Sequence, residues 1–405
     1  MSRLDTPENA RWRQTARDIA EKVIRPLSKK YDELQEYPWE IKDALAEAGL
    51  MGVWIPKEYG GQAGETPVLD LCIVVEEISR ADPAIGVLYA VNALGSFPIL
   101  VGGTDEQKKR FLPEIAAGRK LVAFCLSEKT AGSDAQGLKV RAIKDGEETW
   151  SIHGEKKWTT NGGAADIYTV FAVTDPTSRS RRISAFLVEK DMEGFSIGKV
   201  EDKMGIRAVP VVETVFDGVK VGNDRLLGGR PGMGFRHAMM TLDRARPGVA
   251  AQGVGCAQGA LELATVYAMR RQQFGKSISG FQMVQEMLAN MSTKTEAARQ
   301  LVYYCARQLD AGLDNTTLVA AQAKLYATDV SMEVTTDAVQ IFGGYGYMRD
   351  YPIEKLMRDA KITQIYEGTN QIQRLVVARG LLKEAENLTH LNAYIPEEHQ
   401  EVYEE

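Results

Sequence analysis

The sequence has few of the residues that build metal or disulfide sites. Its 405 residues include only four cysteines and four histidines. Cys72, Cys125, Cys256 and Cys305 form no C-x-x-C pair, so we expect reduced, mostly buried thiols of a cytoplasmic protein. Two of the histidines lie in the C-terminal tail. We therefore predict no bound metal and no Ser/His/Asp triad.

Long apolar runs and blocks of one charge are also scarce. Residues 1–12 lack the apolar segment of a secretory signal, and no run is expected to reach the ~20 apolar residues of a membrane span. The formal net charge is −6 and the basic residues are dispersed, so neither nucleic acid nor an anionic membrane is an expected partner. A composition with 44% hydrophobic and 26% charged residues is that of an ordinary globular chain.

The character of the chain changes twice, from helical to β-rich and back. The helical spacing of the first part predicts a helix up to Pro26 and a nearly uncharged, buried helix over 84–101. A further helix over 68–80 is expected to carry Asp70, Glu76 and Glu77 on its outer face. The predicted units are an N-terminal helical domain (1–118), a middle β domain (119–228), a C-terminal helical bundle (229–388) and an acidic tail (389–405).

The middle and C-terminal units differ in periodicity. Seven short segments rich in β-formers, separated by turn signals such as Asp175-Pro176 and Asp217-Gly218, favour a small antiparallel barrel or sandwich. Helical spacing then predicts four long segments, over 235–270, 281–312, 317–342 and 370–382, which are typical of an antiparallel bundle. The fold class is therefore α+β multidomain, with one natural cleft between the β domain and the helical parts.

One stretch near the C-terminus, from Ile365 to Arg374, places a carboxylate just before a helix. Gly368 breaks the chain and Thr369 is a predicted N-cap. The following helix is predicted to bury one stripe, formed by Ile372, Leu375 and Val376. Glu367 thus lies in a short connector, where burial would raise its pKa towards that of a general base. The alternative is that Glu367 only complements the helix dipole.

Two motifs in the β-rich part could bind a planar or charged ligand. In the segment 124–134, backbone amides and the hydroxyls of Ser127 and Ser133 could donate to an electron-rich ring or a phosphate; the plain alternative is a Ser-rich turn. In the segment 156–163, Trp158 could wall a planar cofactor and Thr160 could bond a ring heteroatom; the alternative is an amphipathic β-edge.

Three motifs in the C-terminal part also have two interpretations. Arg271 suits a diphosphate, or else it is one of several cations that cap a helix. The glycines of the segment 340–347 follow a helix rather than a strand, so they do not support a Rossmann site but could admit a ligand or a neighbouring subunit. Asp243 and Arg246 form a surface pair or hold the polar tail of a ligand.

Together, and in this order, the motifs resemble the acyl-CoA dehydrogenase family of flavoenzymes over about residues 8–386. The family has an N-terminal helical domain, a middle antiparallel β-barrel domain and a C-terminal four-helix bundle. The resemblance implies FAD as cofactor, an acyl-CoA thioester as substrate, electron-transfer flavoprotein as acceptor and a homotetramer. The implied reaction removes the α-proton with Glu367 and transfers the β-hydride to flavin N5.

The resemblance also implies roles for individual residues. Those that match flavin-lining positions are Phe124, Leu126, Ser127, Trp158 and Thr160, with Thr369 and Gln371 beside the base. Those that match positions holding the FAD diphosphate and adenosine across a subunit interface are Arg271, Phe274, Gln282, Gln340, Gly343 and Gly344. Those assigned to the substrate are Ser133, Asp243, Arg246, Tyr366, Gly368 and Tyr89.

The sequence departs from the family pattern at three positions. Ser127 stands where threonine is more usual, Lys129 replaces a proline and Thr159 replaces an aliphatic residue, which leaves the hydrogen bonding near the flavin pyrimidine open. Tyr89, on an uncharged helix, is expected to limit the acyl pocket and predicts a short, branched, alicyclic or aryl-bearing acyl group; dicarboxylic and other ring-bearing thioesters stay open. Two alternatives on the same scaffold are an acyl-CoA oxidase and a flavin-free assembly factor.

Overall fold

The computed structural model describes residues 6–394, and the predicted order of helical, β and helical parts is confirmed. Part of the predicted acidic tail, residues 395–405, lies outside the described residues. The helices of the N-terminal domain are α1 (Pro7–Ile19), α2 (Arg25–Leu34), α3 (Trp39–Glu47), α4 (Pro67–Ala81), α5 (Pro83–Gly102) and α6 (Asp105–Ala116).

Pro26 does not end the first helix as predicted. A π-helical turn over Ala20–Ile24 joins α1 to α2, and Pro26 lies in the first turn of α2. The Arg25 N–H bonds back to the carbonyl of Ala20 through this wider turn. In this continuous helical run, Pro26 lacks an N–H that could bond back to the preceding turn, and the wider π-helical turn lies directly before the position where that bond is missing. The chain therefore stays helical to Leu34.

The expected outward face of α4 is wrong. Asp70, Glu76 and Glu77 are all buried, with exposures of 0%, 4% and 2%. Charge pairing with other helices makes this tolerable: Glu77 accepts from Arg17 at 2.8 and 2.9 Å, and Glu76 accepts from Arg299 Nε at 2.8 Å. Buried charges require such partners, so α4 joins the N-terminal domain to the C-terminal helices.

The prediction that α5 is a buried, nearly uncharged helix is confirmed, but the statement that no run is long enough to span a membrane is not. By length and composition alone, α5 is the one helix among residues 6–394 that could cross a membrane, with a mean hydropathy of 1.8 over its most apolar window. Of that window, 78% is buried inside the protein. The core helix of a globular protein meets the same criteria.

The middle domain is one curled sheet of seven strands. They are β1 (Val122–Cys125), β2 (Arg141–Lys144), β3 (Thr149–Thr160), β4 (Ile167–Val173), β5 (Ile183–Glu189), β6 (Phe195–Val200) and β7 (Val211–Gly222). The order is β1-β4-β2-β3-β7-β6, with β5 on β4. Most pairings are antiparallel, but β1 and β2 both run parallel to β4, which the alternating pattern did not predict.

The Asp217-Gly218 pair is not a turn. It lies inside β7, where the register against β3 shifts between Ile152 and His153 and leaves Gly218 as the extra residue. Gly218 has φ 70°, a conformation that glycine adopts without a steric penalty. The Asp217-Gly218 pair, predicted from the sequence as a turn, therefore marks a β-bulge.

The C-terminal domain is helical. Its elements are α7 (Gly234–Arg270), a hairpin of β8 (Gln272–Gln273) and β9 (Lys276–Ser277), α8 (Gln282–Asp310), α9 (Thr316–Phe342), α10 (Ile353–Thr363) and α11 (Asn370–Ala385). The four predicted long helices are confirmed as α7, α8, α9 and α11. The short helix α10 was missed, and it packs against α5, α7 and α9.

The C-terminal helix begins as predicted but does not bury the predicted stripe. The Ile372 N–H donates to Thr369 Oγ1 at 3.2 Å, which confirms the N-cap. Leu375 is 52% exposed, and the residues that α11 buries are Asn370 and Gln373. In a single chain, this helix therefore faces its polar side inward.

Helix α10 is the point where the three domains meet. Lys355 donates to Asp82 Oδ1, at the start of α5, and to Asp359 Oδ2, both at 2.6 Å. Asp359 Oδ1 accepts the N–H of Ile206 from the β domain at 2.6 Å. All three charged side chains are buried. This cluster fixes the helix that leads directly into the Glu367 connector.

Candidate active site

The Glu367 connector is a tight left-handed turn between α10 and α11. Glu367 has φ 53° and Gly368 has φ 92°, so two successive residues are left-handed. A non-glycine residue with positive φ is strained and needs support from its surroundings. Gln373 supplies part of it: Nε2 donates to the carbonyls of Glu367 at 3.3 Å and Gly368 at 3.0 Å. Helix α11, which carries Gln373, thus stabilises the Glu367 connector that precedes it.

The carboxyl group of Glu367 has an unusual environment. Its side chain is partly exposed as a whole, but Oε2 is buried and has no hydrogen-bond partner among residues 6–394. Burial raises the pKa of Glu367 to about 7, and the nearby charges of Lys324 and Arg246 act to lower it. A carboxyl group with a pKa near neutrality and a free oxygen is suited to accept a proton.

Three of the predicted substrate residues lie on the elements around this turn. The Tyr366 hydroxyl donates to Gln252 of α7, whose Nε2 donates to the carbonyl of Pro83 at 3.0 Å. Arg246 is 6% exposed and donates to Asp243 Oδ1 at 2.6 Å. The Asp243–Arg246 pair is therefore not a surface pair. The buried Arg246 Nε has no hydrogen-bond partner among the described residues, so one donor of this arginine is left unused.

The two β-domain motifs lie side by side. The Lys157 N–H donates to the Ser127 carbonyl at 2.9 Å, so the segment after β1 pairs with the bulged part of β3. At that irregularity Trp158 has φ 57° and is 52% exposed. Thr160, at the end of β3, is partly exposed, whereas Thr159 is buried with its hydroxyl towards Cys125. The departure at Thr159 therefore points into the sheet, away from the exposed Trp158.

The remaining members of these motifs differ in exposure. Phe124 is partly exposed with its ring centroid 5.0 Å from that of Phe171, and Leu126 is 9% exposed. Ser133 and Lys129 are fully on the surface. The loop that contains them offers its polar groups to solvent, where a charged ligand can reach them.

A buried ion pair anchors this loop, and sequence reasoning missed it. Lys156 is 0% exposed and donates to Glu128 Oε1 at 2.8 Å and to the Leu126 carbonyl at 2.9 Å. Glu128 also accepts the N–H groups of Lys139 and Val140, at 2.7 and 3.0 Å. A lysine beside a second lysine in a strand reads as a solvated face, so nothing in the pattern marked Lys156 as buried.

A cavity of about 580 Å³ lies between the end of α7, the short hairpin and the end of α9. Arg271, Gly343 and Gly344 are among its lining residues, together with several aromatic side chains. Gly343 has φ 61° and ψ −139°, a conformation restricted to glycine. A Cβ at either glycine would meet nothing within 4 Å, so the backbone here is open to a ligand.

The Arg271 guanidinium lies 5.3 Å from the centroid of Tyr345 and makes no ion pair within the part of the chain that the structure describes. Phe274 has φ 53° and is 94% exposed, and Gln282, Gln340 and Gln371 are exposed as well. The predicted nucleotide-binding set is thus gathered at one end of the bundle with its side chains uncovered.

The position of Tyr89 argues against the predicted role in the acyl pocket. Its side chain is 0% exposed and its hydroxyl donates to the Leu50 carbonyl at 3.0 Å. Its ring packs edge-on against Trp54 at 5.5 Å between centroids. Tyr89 thus belongs to the core of the N-terminal domain, because α5 is buried on nearly all sides and the tyrosine is on the side that faces Leu50.

Tyr89→Phe is expected to lower the free energy of unfolding by about 1–2 kcal/mol, because only the hydrogen bond to the buried Leu50 carbonyl is lost. The relative kcat/KM across straight-chain acyl-CoA thioesters should stay unchanged. Chemical denaturation and a chain-length panel check the two statements. A shift in chain-length preference at unchanged stability would restore Tyr89 to the pocket.

Three family models together match most of the chain. The N-terminal, middle and C-terminal domains of acyl-CoA dehydrogenase match residues 6–119, 123–219 and 232–382. The "Probable acyl-CoA dehydrogenase fadE25" of Mycobacterium leprae is 48% identical over 93% of this chain and 96% of its own length. The short-chain specific acyl-CoA dehydrogenase of Megasphaera elsdenii is 45% identical over 91% and 96%. The cyclohexane-1-carbonyl-CoA dehydrogenase of Geobacter metallireducens is 43% identical over 92% and 97%.

Solved structures agree with this assignment. The butyryl-CoA dehydrogenase of M. elsdenii has a TM-score of 0.91 at 43% identity, covering 94% of this chain and 100% of its own. A chain from work on the electron transferring flavoprotein of Acidaminococcus fermentans gives 0.91 at 46%, with 94% and 100% covered. An acyl-CoA dehydrogenase of Bacillus anthracis complexed with FAD gives 0.88 at 32%, with 96% and 70% covered. This chain belongs to the acyl-CoA dehydrogenase family and is an acyl-CoA dehydrogenase.

Proposed function

We propose that the enzyme oxidises a short, branched or alicyclic acyl-CoA to the 2,3-enoyl-CoA, with Glu367 as the base that removes the α-proton. The observation that carries this is the left-handed Glu367 connector, in which Oε2 is buried without a hydrogen-bond partner among residues 6–394 and burial raises the pKa of Glu367 to about 7. A carboxylate in water is too weak a base for the carbon next to a thioester carbonyl. Desolvation in a closed cleft raises its basicity.

The connector also supplies a donor for the negative charge that develops on the substrate. Among the described residues the Glu367 N–H has no backbone acceptor, so it is available to the thioester carbonyl. An N–H fixed in a strained turn needs little reorganisation when the enolate forms, which is where such a donor is most effective. Base and oxyanion donor would then come from one residue, held by Gln373.

The residues fit FAD, the cofactor of the family. The open backbone at Gly343 and Gly344 and Arg271, which has no ion pair in the described part of the chain, suit a diphosphate and its nucleotide. The exposed Trp158 suits the face of the flavin ring. When bound, FAD accepts the β-hydrogen as hydride. Thr160, at the end of β3 beside this tryptophan, is proposed to donate to the flavin ring.

We infer the substrate class from the names of the relatives and from the absence of charged side chains on α5. Relatives at 43–45% identity are named for short-chain and cyclohexane-1-carbonyl substrates. Helix α5 carries no charged side chain, so no group on it could pair with a second carboxylate of a dicarboxylic thioester. We place Arg246 and Asp243 near the CoA side of the cleft, since both are polar and already paired.

We further propose a cytoplasmic homotetramer that passes its electrons to an electron-transfer flavoprotein. The C-terminal domain leaves large apolar side chains uncovered, among them Phe274 at 94%, Met283 at 80% and Leu382 at 71% exposure. Apolar surface of this extent on one domain is typical of a subunit interface. All four cysteines are free and buried, which fits a reducing compartment.

A panel of acyl-CoA thioesters tests the proposal. Butyryl-, isobutyryl-, cyclohexanecarbonyl-, glutaryl- and palmitoyl-CoA should be compared by kcat/KM with an artificial electron acceptor, with and without oxygen. The first three are expected to be the best substrates, and the rate should require the acceptor. A preference for glutaryl- or palmitoyl-CoA would overturn the substrate class, and turnover with oxygen alone would identify an oxidase.

The rate should rise with pH and reach half its maximum near pH 7, because only ionised Glu367 accepts the proton. The pKa of Glu367 in the folded protein lies above its ordinary value of 4.5. Compared with the unfolded chain, the folded protein therefore favours protonated Glu367. The stability that comes from this preference is fully present below about pH 4.5 and is lost as the pH rises through about 7. Glu367→Gln should accordingly have the higher Tm above pH 7. A flat rate profile between about pH 5 and pH 9 would contradict the assignment.

A further inference from the structure

Lys324 of α9 is a buried cation directly behind the Glu367 connector. Its side chain is 0% exposed. Nζ donates to the Gly368 carbonyl at 2.9 Å and to Asn370 Oδ1 at 2.8 Å. A buried ammonium group is unfavourable unless an opposite charge stabilises it, and neither of these acceptors carries a charge. We therefore infer that the carboxyl group of Glu367, in the same connector, stabilises the charge of Lys324.

The contacts of Lys324 stabilise the unusual backbone of that connector. The Gly368 carbonyl receives both Lys324 Nζ and Gln373 Nε2. Asn370, the first residue of α11, is tied to α9 a second time through Thr328, to which its Nδ2 donates at 2.9 Å. The turn with φ 53° at Glu367 is thus fastened to α9. Removing Lys324 loosens one of two bonds to the Gly368 carbonyl.

The charges around Glu367 come from three helices and the connector itself. Arg246 of α7 is paired with Asp243, and Asp329 of α9 is paired with Arg374 of α11 at 2.9 Å. Lys324 has no carboxylate partner among the described residues. Burial lowers the pKa of Lys324 to about 7, the charge of Glu367 acts to raise it, and Lys324 in turn acts to lower the pKa of Glu367. The two groups therefore titrate as a pair.

We propose that Lys324 is a positioning residue for the base: it holds the left-handed turn from inside the bundle, and its charge lets the Glu367 carboxyl group ionise at a lower pH than it would without Lys324. This inference rests on the proposed role of Glu367 as the base. Lys324 itself does not touch the substrate, since it is fully buried behind the connector. Its effect should be greatest on the acid side of the rate profile, where the charge of Lys324 is retained.

The first test is the pH profile of the FAD-loaded Lys324→Met enzyme. The acid limb of kcat should move up by about one pH unit, which lowers kcat about tenfold on that limb. KM should change less than kcat. Lys324→Arg keeps the charge and should retain the wild-type acid limb. Lys361→Met removes an exposed lysine from α10 and is the matched control, with an expected wild-type profile. An unmoved acid limb in Lys324→Met overturns the proposal.

The second test is a double-mutant cycle of thermal stability, which needs no activity. At pH 7, Lys324→Met should lower Tm more in the wild-type background than in the Glu367→Gln background, and the difference should vanish at about pH 5, where Glu367 is protonated. A purely structural lysine would give equal losses in both backgrounds and overturn the proposal. If Lys324→Met does not accumulate, Lys324→Gln is used for both tests, with the same expected shift.

The proposed roles of Glu367 and Lys324 can be disproved independently of each other. An active Glu367→Gln enzyme would remove the base assignment, whatever the Lys324 variants do. An inactive Glu367→Gln enzyme together with a wild-type profile in Lys324→Met would remove only the role of Lys324.

Discussion

Glu367→Gln should remain folded and retain FAD, and its turnover should fall by about 10³-fold or more. Glutamine keeps the volume and the left-handed turn, whose carbonyl bonds to Gln373 do not involve the side chain. It cannot accept the α-proton. The buried Oε2 of Glu367 has no hydrogen-bond partner among residues 6–394, so the exchange breaks no described contact and the loss reports chemistry rather than folding.

The matched control is Glu386→Gln. Glu386 lies at the exposed end of α11. The Glu386→Gln substitution removes the same charge from a residue that does not contact the connector. Its turnover should equal that of the wild type. If Glu367→Gln kept a tenth of the wild-type activity, another group would have to remove the proton.

Arg271→Ala should lower the affinity for FAD by about 10- to 100-fold, the range expected for losing a bidentate, charge-assisted contact. Arg271 follows the last residue of α7 and lines the 580 Å³ cavity next to Gly343 and Gly344. Within the described chain no carboxylate neutralises it, so its charge is available to a diphosphate. If the nucleotide bridges two subunits, the oligomer should weaken in the same variant.

Arg270→Ala, one residue earlier and exposed, is the control for Arg271→Ala. Flavin absorbance per subunit and sedimentation velocity measure the two effects. Full flavin occupancy in an intact oligomer of Arg271→Ala would contradict the assignment, as would equal losses in both variants.

Sequence patterns were sufficient where local signals decide the structure. The Thr369 cap, the long helices and most strand positions follow from capping, periodicity and β-propensity, and the structure confirms them. The resemblance carried the rest, because single motifs such as the glycines at 343 and 344 have several interpretations. Their common location beside Arg271 appears only in the fold.

Sequence patterns failed where partners from distant helices decide. Glu76 and Glu77 read as surface residues, because Arg17 and Arg299, which pair with them from other helices, lie 60 or more positions away. Lys156 and Lys324 were missed for the same reason: a lysine carries no local mark of burial, and both are 0% exposed. Helical spacing identified the face of α5 that carries Tyr89 but not the element that covers it, and in the structure the Tyr89 hydroxyl donates to the Leu50 carbonyl.

The apolar residues of α11 illustrate a different limit. Leu375 was expected in the core and is 52% exposed, while Gln373 is buried because it fastens the Glu367 turn. Periodicity detects an apolar stripe but does not say whether it faces the same chain or another subunit. The proposed homotetramer would account for the exposed stripe.

In the proposed mechanism, Glu367 starts the removal of two hydrogens from an acyl-CoA. The most direct measurement is anaerobic mixing of the FAD-loaded enzyme with stoichiometric butyryl-CoA, followed by flavin absorbance and by mass spectrometry of the thioester. We expect bleaching of the flavin and a thioester lighter by two hydrogens in the wild type, with neither change on the same timescale in Glu367→Gln. Equal bleaching in both proteins, or a wild-type thioester of unchanged mass with every acyl group tested, would contradict it.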